Sequence, residues 1–264
     1  MPEGSSRRQI LQLLGATATT SLSGCASVFG RNETTTTATT PDQHTTTAVD
    51  ISTPTTTTIK REIESPSSVV SDVSIPESPT KYTYARMGPA TAPVTATIYG
   101  SWKCTYTQDF VQTLLQTIIR KFVQPGQISL VFREVAYRDG KPFHGPDELT
   151  AGHAGLAMWN HAPESYWSYF ATVFANQEAG TEPWATADRL LALAEAAGVP
   201  NQKQLRREIK QGAYQSELKQ TMEQVANFGF GAVPRVVVDD SVTAPTADPQ
   251  STITQLKRAL ANSN

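Results

Sequence analysis

The sequence predicts an α/β fold that begins near residue 81, and three patterns predict it. Residues 34–58 are dominated by threonine, with Pro41 and Pro54 and almost no large apolar side chains, so they cannot bury enough surface to offset chain entropy. Beyond residue 81, a strand, a helix and a second strand follow one another with a tight first turn, which implies parallel pairing and a right-handed crossover. A long run of helical patterns then separates that unit from a third strand. The periodic part spans roughly 180 residues, ample for one packed core.

Taken in order, residues 82–86 alternate weakly and read as a first edge strand, ended by the Gly88-Pro89 break. Residues 94–99 are β-branched and aromatic up to Gly100 and read as a buried strand. Residues 109–123 carry Phe110, Leu114, Ile118 and Phe122 at every fourth position, the pattern of an amphipathic helix. Pro125-Gly126 ends it, and residues 128–135 form a second strong strand. Helices are expected at residues 147–160, 165–175, 187–197 and 201–228, the last broken near Gly212. Residues 235–239, after Pro234, read as a third strand, and after an irregular Pro/Thr stretch residues 250–260 read as a terminal helix.

The first thirty residues read as an address. Arg7-Arg8 stands directly before a moderately apolar stretch, residues 10–24, which resembles a twin-arginine export signal. That stretch is shorter than the roughly 20 residues a spanning helix requires. Leu22-Ser23-Gly24-Cys25 resembles the lipobox of exported lipoproteins, which makes Cys25 the expected lipid attachment site. The domain expectation is therefore a signal at residues 1–24, a disordered threonine-rich tether at 25–80 and a folded domain at 81–264. The tether is either an O-glycosylated stalk or an unmodified flexible linker, and both place the domain outside the cytoplasm, anchored to the outer face of the membrane.

The 22 basic and 24 acidic side chains give a net charge of −2 without long runs, so no electrostatic footprint for nucleic acid is present. Two cysteines are too few for a disulfide framework. Cys104 lies at the junction between a strand and a helix, where free backbone N–H groups and the positive end of the helix dipole favour a thiolate. Lys103 beside it would act in the same direction if its side chain points toward the sulfur.

Residues 88–95, the strand at 96–99, Trp102-Lys103-Cys104-Thr105-Tyr106-Thr107, the strand at 129–133, Phe174-Ala175-Asn176-Gln177 and Gly231-Ala232-Val233-Pro234 together resemble the DsbA-like thioredoxin-fold family. The resemblance implies a thioredoxin-like fold with an inserted helical domain at about residues 145–229. It also implies a redox centre of the form Cys-x-x-Cys, in which the first thiolate attacks a disulfide and the second resolves it. Here Thr107 occupies the second position, so the resemblance points to a monothiol variant in which the Thr107 hydroxyl hydrogen-bonds to the Cys104 thiolate. Pro234 corresponds to the family's cis-proline, which frees the backbone at Val233 to pair with an extended substrate. Trp102 and Tyr106, flanking Cys104, are expected to bind substrate together with Val233.

The function implied is a thiol–disulfide oxidoreductase, monomeric and without cofactor, acting on extracytoplasmic protein thiols and disulfides or on small thiols. The competing expectation is a redox-inactive thioredoxin-fold lipoprotein that binds peptides or a partner chain. His144, His153 and His161 are spaced nine and eight apart and match no metal-ligand pattern, so they read as surface or core histidines. Trp159, Tyr166, Trp167, Tyr169 and Phe170 read as core.

Overall fold

The computed structural model describes residues 62–179 and 182–263. Arg7, Arg8, Cys25 and the threonine tract lie outside the described residues. The first described element is a short helix α1 (Ser68–Ser71), followed by a 3-10 turn at Pro79–Lys81. The packed body thus starts earlier than the expected boundary at 81. Val70 is fully buried, the Glu64 amide donates to Asn176 Oδ1 (2.8 Å), and Asn176 Nδ2 donates back to the Glu64 carbonyl (2.9 Å). Composition had marked this stretch as tether because its apolar residues are few, but those few all face the domain.

The central sheet has five strands in the order β1-β3-β2-β6-β7, namely β1 (Arg86–Met87), β2 (Val94–Gly100), β3 (Ile128–Glu134), β6 (Arg235–Val238) and β7 (Ser241–Thr243). β2 and β3 pair in parallel, with Val94 opposite Ile128 and Gly100 opposite Glu134; every other neighbouring pair is antiparallel. The parallel crossover was the sequence expectation. The first edge strand, expected at residues 82–86, is instead Arg86–Met87, so only Arg86 was anticipated; it pairs with Val131 and Met87 with Leu130. β7 lies within the stretch that had read as irregular, held against β6. A separate hairpin joins β4 (Tyr137–Arg138) to β5 (Lys141–Pro142). Asp139 and Gly140 both have positive φ, 50° and 74°, the two-residue turn whose twist matches antiparallel strands.

The crossover begins as helix α2 (Thr105–Gln112), breaks at Thr113, resumes as α3 (Leu114–Ile118) and closes with a π turn at Ile119–Val123. The fourfold spacing had suggested one helix; the inserted turn instead buries Ile119 and Val123 along with Ile118 and Phe122. The inserted helices are α4 (Glu148–His161), α5 (Pro163–Ala175), α6 (Ala187–Ala196), α7 (Gln202–Gln211) and α8 (Gln215–Phe228), and α9 (Pro249–Asn262) ends the fold. Gly212, with φ 61°, ends α7 in the left-handed region, at the break read from the sequence.

Alternation along the strands gives the sheet two different faces. Ala96, Ile98, Leu130, Phe132 and Val236 join the main core beneath the helices. Tyr99 and Val237 face the other way, into a smaller cluster with Cys104, Val135, Val225 and Val233. Trp102 ties the sheet to the insertion: its ring lies 5.4 Å from Phe132, 5.2 Å from Phe170 and 5.5 Å from Phe174, the last stacked. The aromatic residues of α4 and α5 are core, as expected.

Candidate active site

β2 delivers the chain to the site through Gly100. A Cβ there would lie 2.8 Å from the Phe132 ring and 2.9 Å from Thr107 Cγ2, so only glycine lets the strand end this close to the first turn of α2. Cys104 is the N-cap of that helix, in extended backbone (φ −81°, ψ 121°). Its amide bonds the Ser101 carbonyl (3.2 Å), and its carbonyl accepts from Gln108 N–H (3.0 Å). The Cys104 Sγ lies 3.7 Å from the Val233 carbonyl oxygen, and the Val233-Pro234 bond is cis. Cys104, Thr107, Val233 and Pro234 are therefore brought together. Tyr106, 65 % exposed, borders a groove with Val233, Pro234, Arg235 and Thr246.

Two expectations are corrected. Trp102 is only 1 % exposed and is walled in by aromatic rings, so it cannot touch a substrate; the chain turns inward between Ser101 and Cys104, and the larger side chain enters the core. Lys103 is also buried, its ammonium paired with the Asp147 carboxylate and donating to the Glu182 carbonyl at 3.3 Å. Asp147 in turn accepts from the Ala185 amide at 2.7 Å. That ion pair locks the start of α4 to the Cys104 loop and leaves the cationic role beside the sulfur to another residue.

That residue is His144, which the sequence reading had assigned to surface or core. It sits between the β4–β5 hairpin and α4, its ring centroid 4.1 Å from that of Phe143. Its Nδ1 lies 3.0 Å from Glu148 Oε2 and 2.9 Å from Ser101 Oγ, and its backbone N–H donates to Glu148 Oε2 at 3.0 Å. Ser101 Oγ donates to Glu148 Oε1 (2.8 Å) and accepts from the Lys103 amide (3.1 Å). His144 is also close enough to Cys104 to act on its titration. The signal that marks it in the sequence is a histidine four residues before the first-turn glutamate of a helix, facing the serine just ahead of the cysteine.

Burial pushes the Cys104 thiol up, but the hydrogen bond from His144, the amide and hydroxyl of Thr107 and the His144 charge together bring it below the ordinary thiol value. Burial acts on His144 in the opposite sense and is outweighed by Cys104 and Glu148, so its pKa is raised to about 9. Glu134, opposite the end of β2, accepts from the Trp102 amide at 3.1 Å while its other oxygen has no partner. Burial first, then the charge of Glu148, push its carboxyl well above the usual range. The shifts of Cys104 and His144 are mutual: each favours the charged form of the other, the sulfur as thiolate and the ring as imidazolium.

A family model described as Thioredoxin matches residues 80–261. Among curated proteins, the disulfide bond formation protein D of Bacillus subtilis (strain 168) is 24% identical over 162 residues, covering 61% of this chain and 70% of that protein. Among solved structures, oxidised BdbD from Bacillus subtilis matches with a TM-score of 0.62 at 22% identity, over 72% of this chain and 97% of that one. Chlamydia trachomatis DsbA matches with a TM-score of 0.56 at 25% identity, over 69% of this chain and 93% of that one. The fold is thioredoxin-like with inserted helices, as the sequence predicted.

Proposed function

This chain belongs to the thioredoxin family, and on that premise we propose that it is a thiol–disulfide oxidoreductase of monothiol type that acts outside the cytoplasm through Cys104. The observation that carries the reading is the 3.7 Å approach of the Cys104 sulfur to the Val233 carbonyl beside the cis Val233-Pro234 bond. A thiolate there meets a substrate strand laid along Val233, with Tyr106 on the rim of the same groove. The names of the relatives, disulfide bond formation protein and DsbA, support the same chemistry. The sequence holds only one other cysteine, Cys25, and once that is lipidated the second sulfur of each exchange must come from outside the chain. Thr107 stands where a resolving cysteine would be and supports the thiolate instead.

A second reading, a tethered binder without redox turnover, draws support from the exposure of Cys104, which is only 4 %. Capture of mixed disulfides from the cell envelope separates the two. The full chain is expected to yield adducts that a reductant releases and that Cys104→Ser does not form. Absence of adducts, with Cys104 inert to alkylation, supports the binder instead. Delivery rests on Arg7-Arg8 and the Cys25 lipobox: changing both arginines to lysine is expected to leave unprocessed precursor inside the cell, and normal surface delivery would refute the twin-arginine route.

A further inference from the structure

We infer that His144 is a catalytic acid and base for Cys104, giving up a proton when the sulfur attacks and taking one when an external thiol resolves the mixed disulfide. The inference rests on the monothiol reading and supplies what that reading lacks. In a two-cysteine centre the resolving nucleophile is already in place. With Thr107 in that position, the resolving thiol arrives from solution, where only a few per cent is ionised at neutral pH. A group beside the sulfur that accepts its proton raises the reactive fraction at the site.

The geometry meets the requirement. His144 is held on the loop that carries the cysteine: its Nδ1 lies 2.9 Å from Ser101 Oγ and 3.0 Å from Glu148 Oε2, and the Ser101 carbonyl accepts from the Cys104 amide at 3.2 Å, close enough for the ring and the sulfur to shift each other's titration. A ring oriented by a carboxylate on one nitrogen and set beside a nucleophile is the arrangement general acid–base catalysis needs. The side chain is 22 % exposed, so it exchanges protons with solvent, whereas Glu148 behind it is fully buried. Among the described residues, two other ionisable groups lie near: Glu134, whose carboxyl is pushed well above the usual range by burial, by Glu148 and by the Cys104 charge, and Lys103, which is turned away to Asp147.

The cycle balances without an oxidant. The Cys104 thiolate attacks one sulfur of R–S–S–R′, an S–S bond forms to R, the bond to R′ breaks, and the departing sulfur takes the proton of the His144 imidazolium to leave as R′–SH. His144 is now neutral, and of the two groups that had raised its proton affinity the thiolate is gone while Glu148 remains to orient the ring. An incoming R″–SH gives its proton to His144, and its sulfur attacks R. The disulfide R–S–S–R″ departs and the thiolate–imidazolium pair returns. Each capping and release of the sulfur thereby switches the ring from acid to base. The net reaction is exchange of partners between one disulfide and one thiol, so the substrate class is a pre-existing disulfide rather than a dithiol awaiting oxidation.

Three variants of the full chain test this: His144→Gln, His144→Asn and His144→Arg. The first measurement is alkylation of Cys104 by iodoacetamide across pH, which needs no disulfide substrate. The second is the rate at which dithiothreitol frees Cys104 from its mixed disulfide with 2-mercaptoethanol. Gln and Asn are expected to move the alkylation midpoint upward by about one pH unit and to slow release at neutral pH by about tenfold or more. Arg restores the charge but accepts no proton, so it is expected to keep the low midpoint and still release slowly. Release within twofold of wild type in the Gln and Asn variants, or in the Arg variant, overturns the inference. Failure to trap any envelope disulfide with wild type, while these variants behave as expected, would count against the oxidoreductase reading and leave the His144–Cys104 proton coupling standing.

Discussion

At Glu134, burial and charge act in the same direction: both the loss of water and the neighbouring Glu148 raise its pKa from 4.5. Above that value the folded state binds a proton the unfolded chain releases, so this group lowers stability as pH rises through neutrality, and the effect is absent below it. Glu134→Gln keeps the shape and removes the cost. It is expected to raise the thermal midpoint at pH 7 by roughly 2–4 °C, about 1 kcal/mol, with no gain at pH 4; a lower midpoint at pH 7 would mean that Glu134 is ionised in the fold. Residue positions were legible in the sequence where local pattern decides them. Cys104 caps, and Thr107 sits in the first turn of, a helix whose start the strand–turn–helix pattern reveals, and Pro234 directly precedes a strand. Roles set by tertiary approach were not legible. His144 reaches Ser101 across 43 residues, and whether Trp102 and Lys103 turn toward substrate or core depends on aromatic and acidic partners contributed by α4 and α5.

Helix α4 shows how an element carries a constraint that its own propensity opposes. Gly155 lies mid-helix, where replacement by alanine ordinarily stabilises by up to about 1 kcal/mol. A Cβ at 155 would instead lie 2.6 Å from Trp102 Cζ2 and 2.8 Å from Trp102 Nε1, and the indole is buried among aromatic rings that limit its movement. Overpacking of this kind costs about 1–3 kcal/mol, so Gly155→Ala is expected to lower the urea midpoint of unfolding, and an unchanged or higher midpoint would show that α4 can shift away from the Cys104 loop. That loop and α4 are coupled twice more, by Lys103–Asp147 and by Glu148 with Ser101, so the same substitution should disturb the alkylation profile of Cys104. Element existence was the most legible level: strands β2, β3 and β6 and the inserted helices follow from periodicity. The hairpin β4–β5 was missed although Asp139-Gly140 is a strong turn signal, because its strands are two residues long and carry no alternation to flank the turn.

For the whole molecule, the boundary of the folded body is the point at which composition misleads. Residues 62–80 read as tether, yet α1 lies against α5 and α3 and the segment is pinned at both ends, by Glu64 on Asn176 and by the Ser74 carbonyl accepting from the Gly88 amide at 2.7 Å. Val70 is fully buried and Val73 is 9 % exposed, with Ile63, Val69 and Ile75 packed partly against the same core. Burying two valines is worth about 3–6 kcal/mol on area grounds, a large fraction of the 5–15 kcal/mol that holds an ordinary domain together. A chain beginning at residue 62 is therefore expected to melt with the full protein, whereas one beginning at residue 81 should melt roughly 10 °C lower or more. Val70→Asp in the full chain should reproduce that loss without shortening it, since the charge cannot be paired in the core. Coincident melts for chains starting at 62 and at 81 would mean that the strap adds no stability. The expected drop would place the junction between tether and domain on the N-terminal side of Glu62.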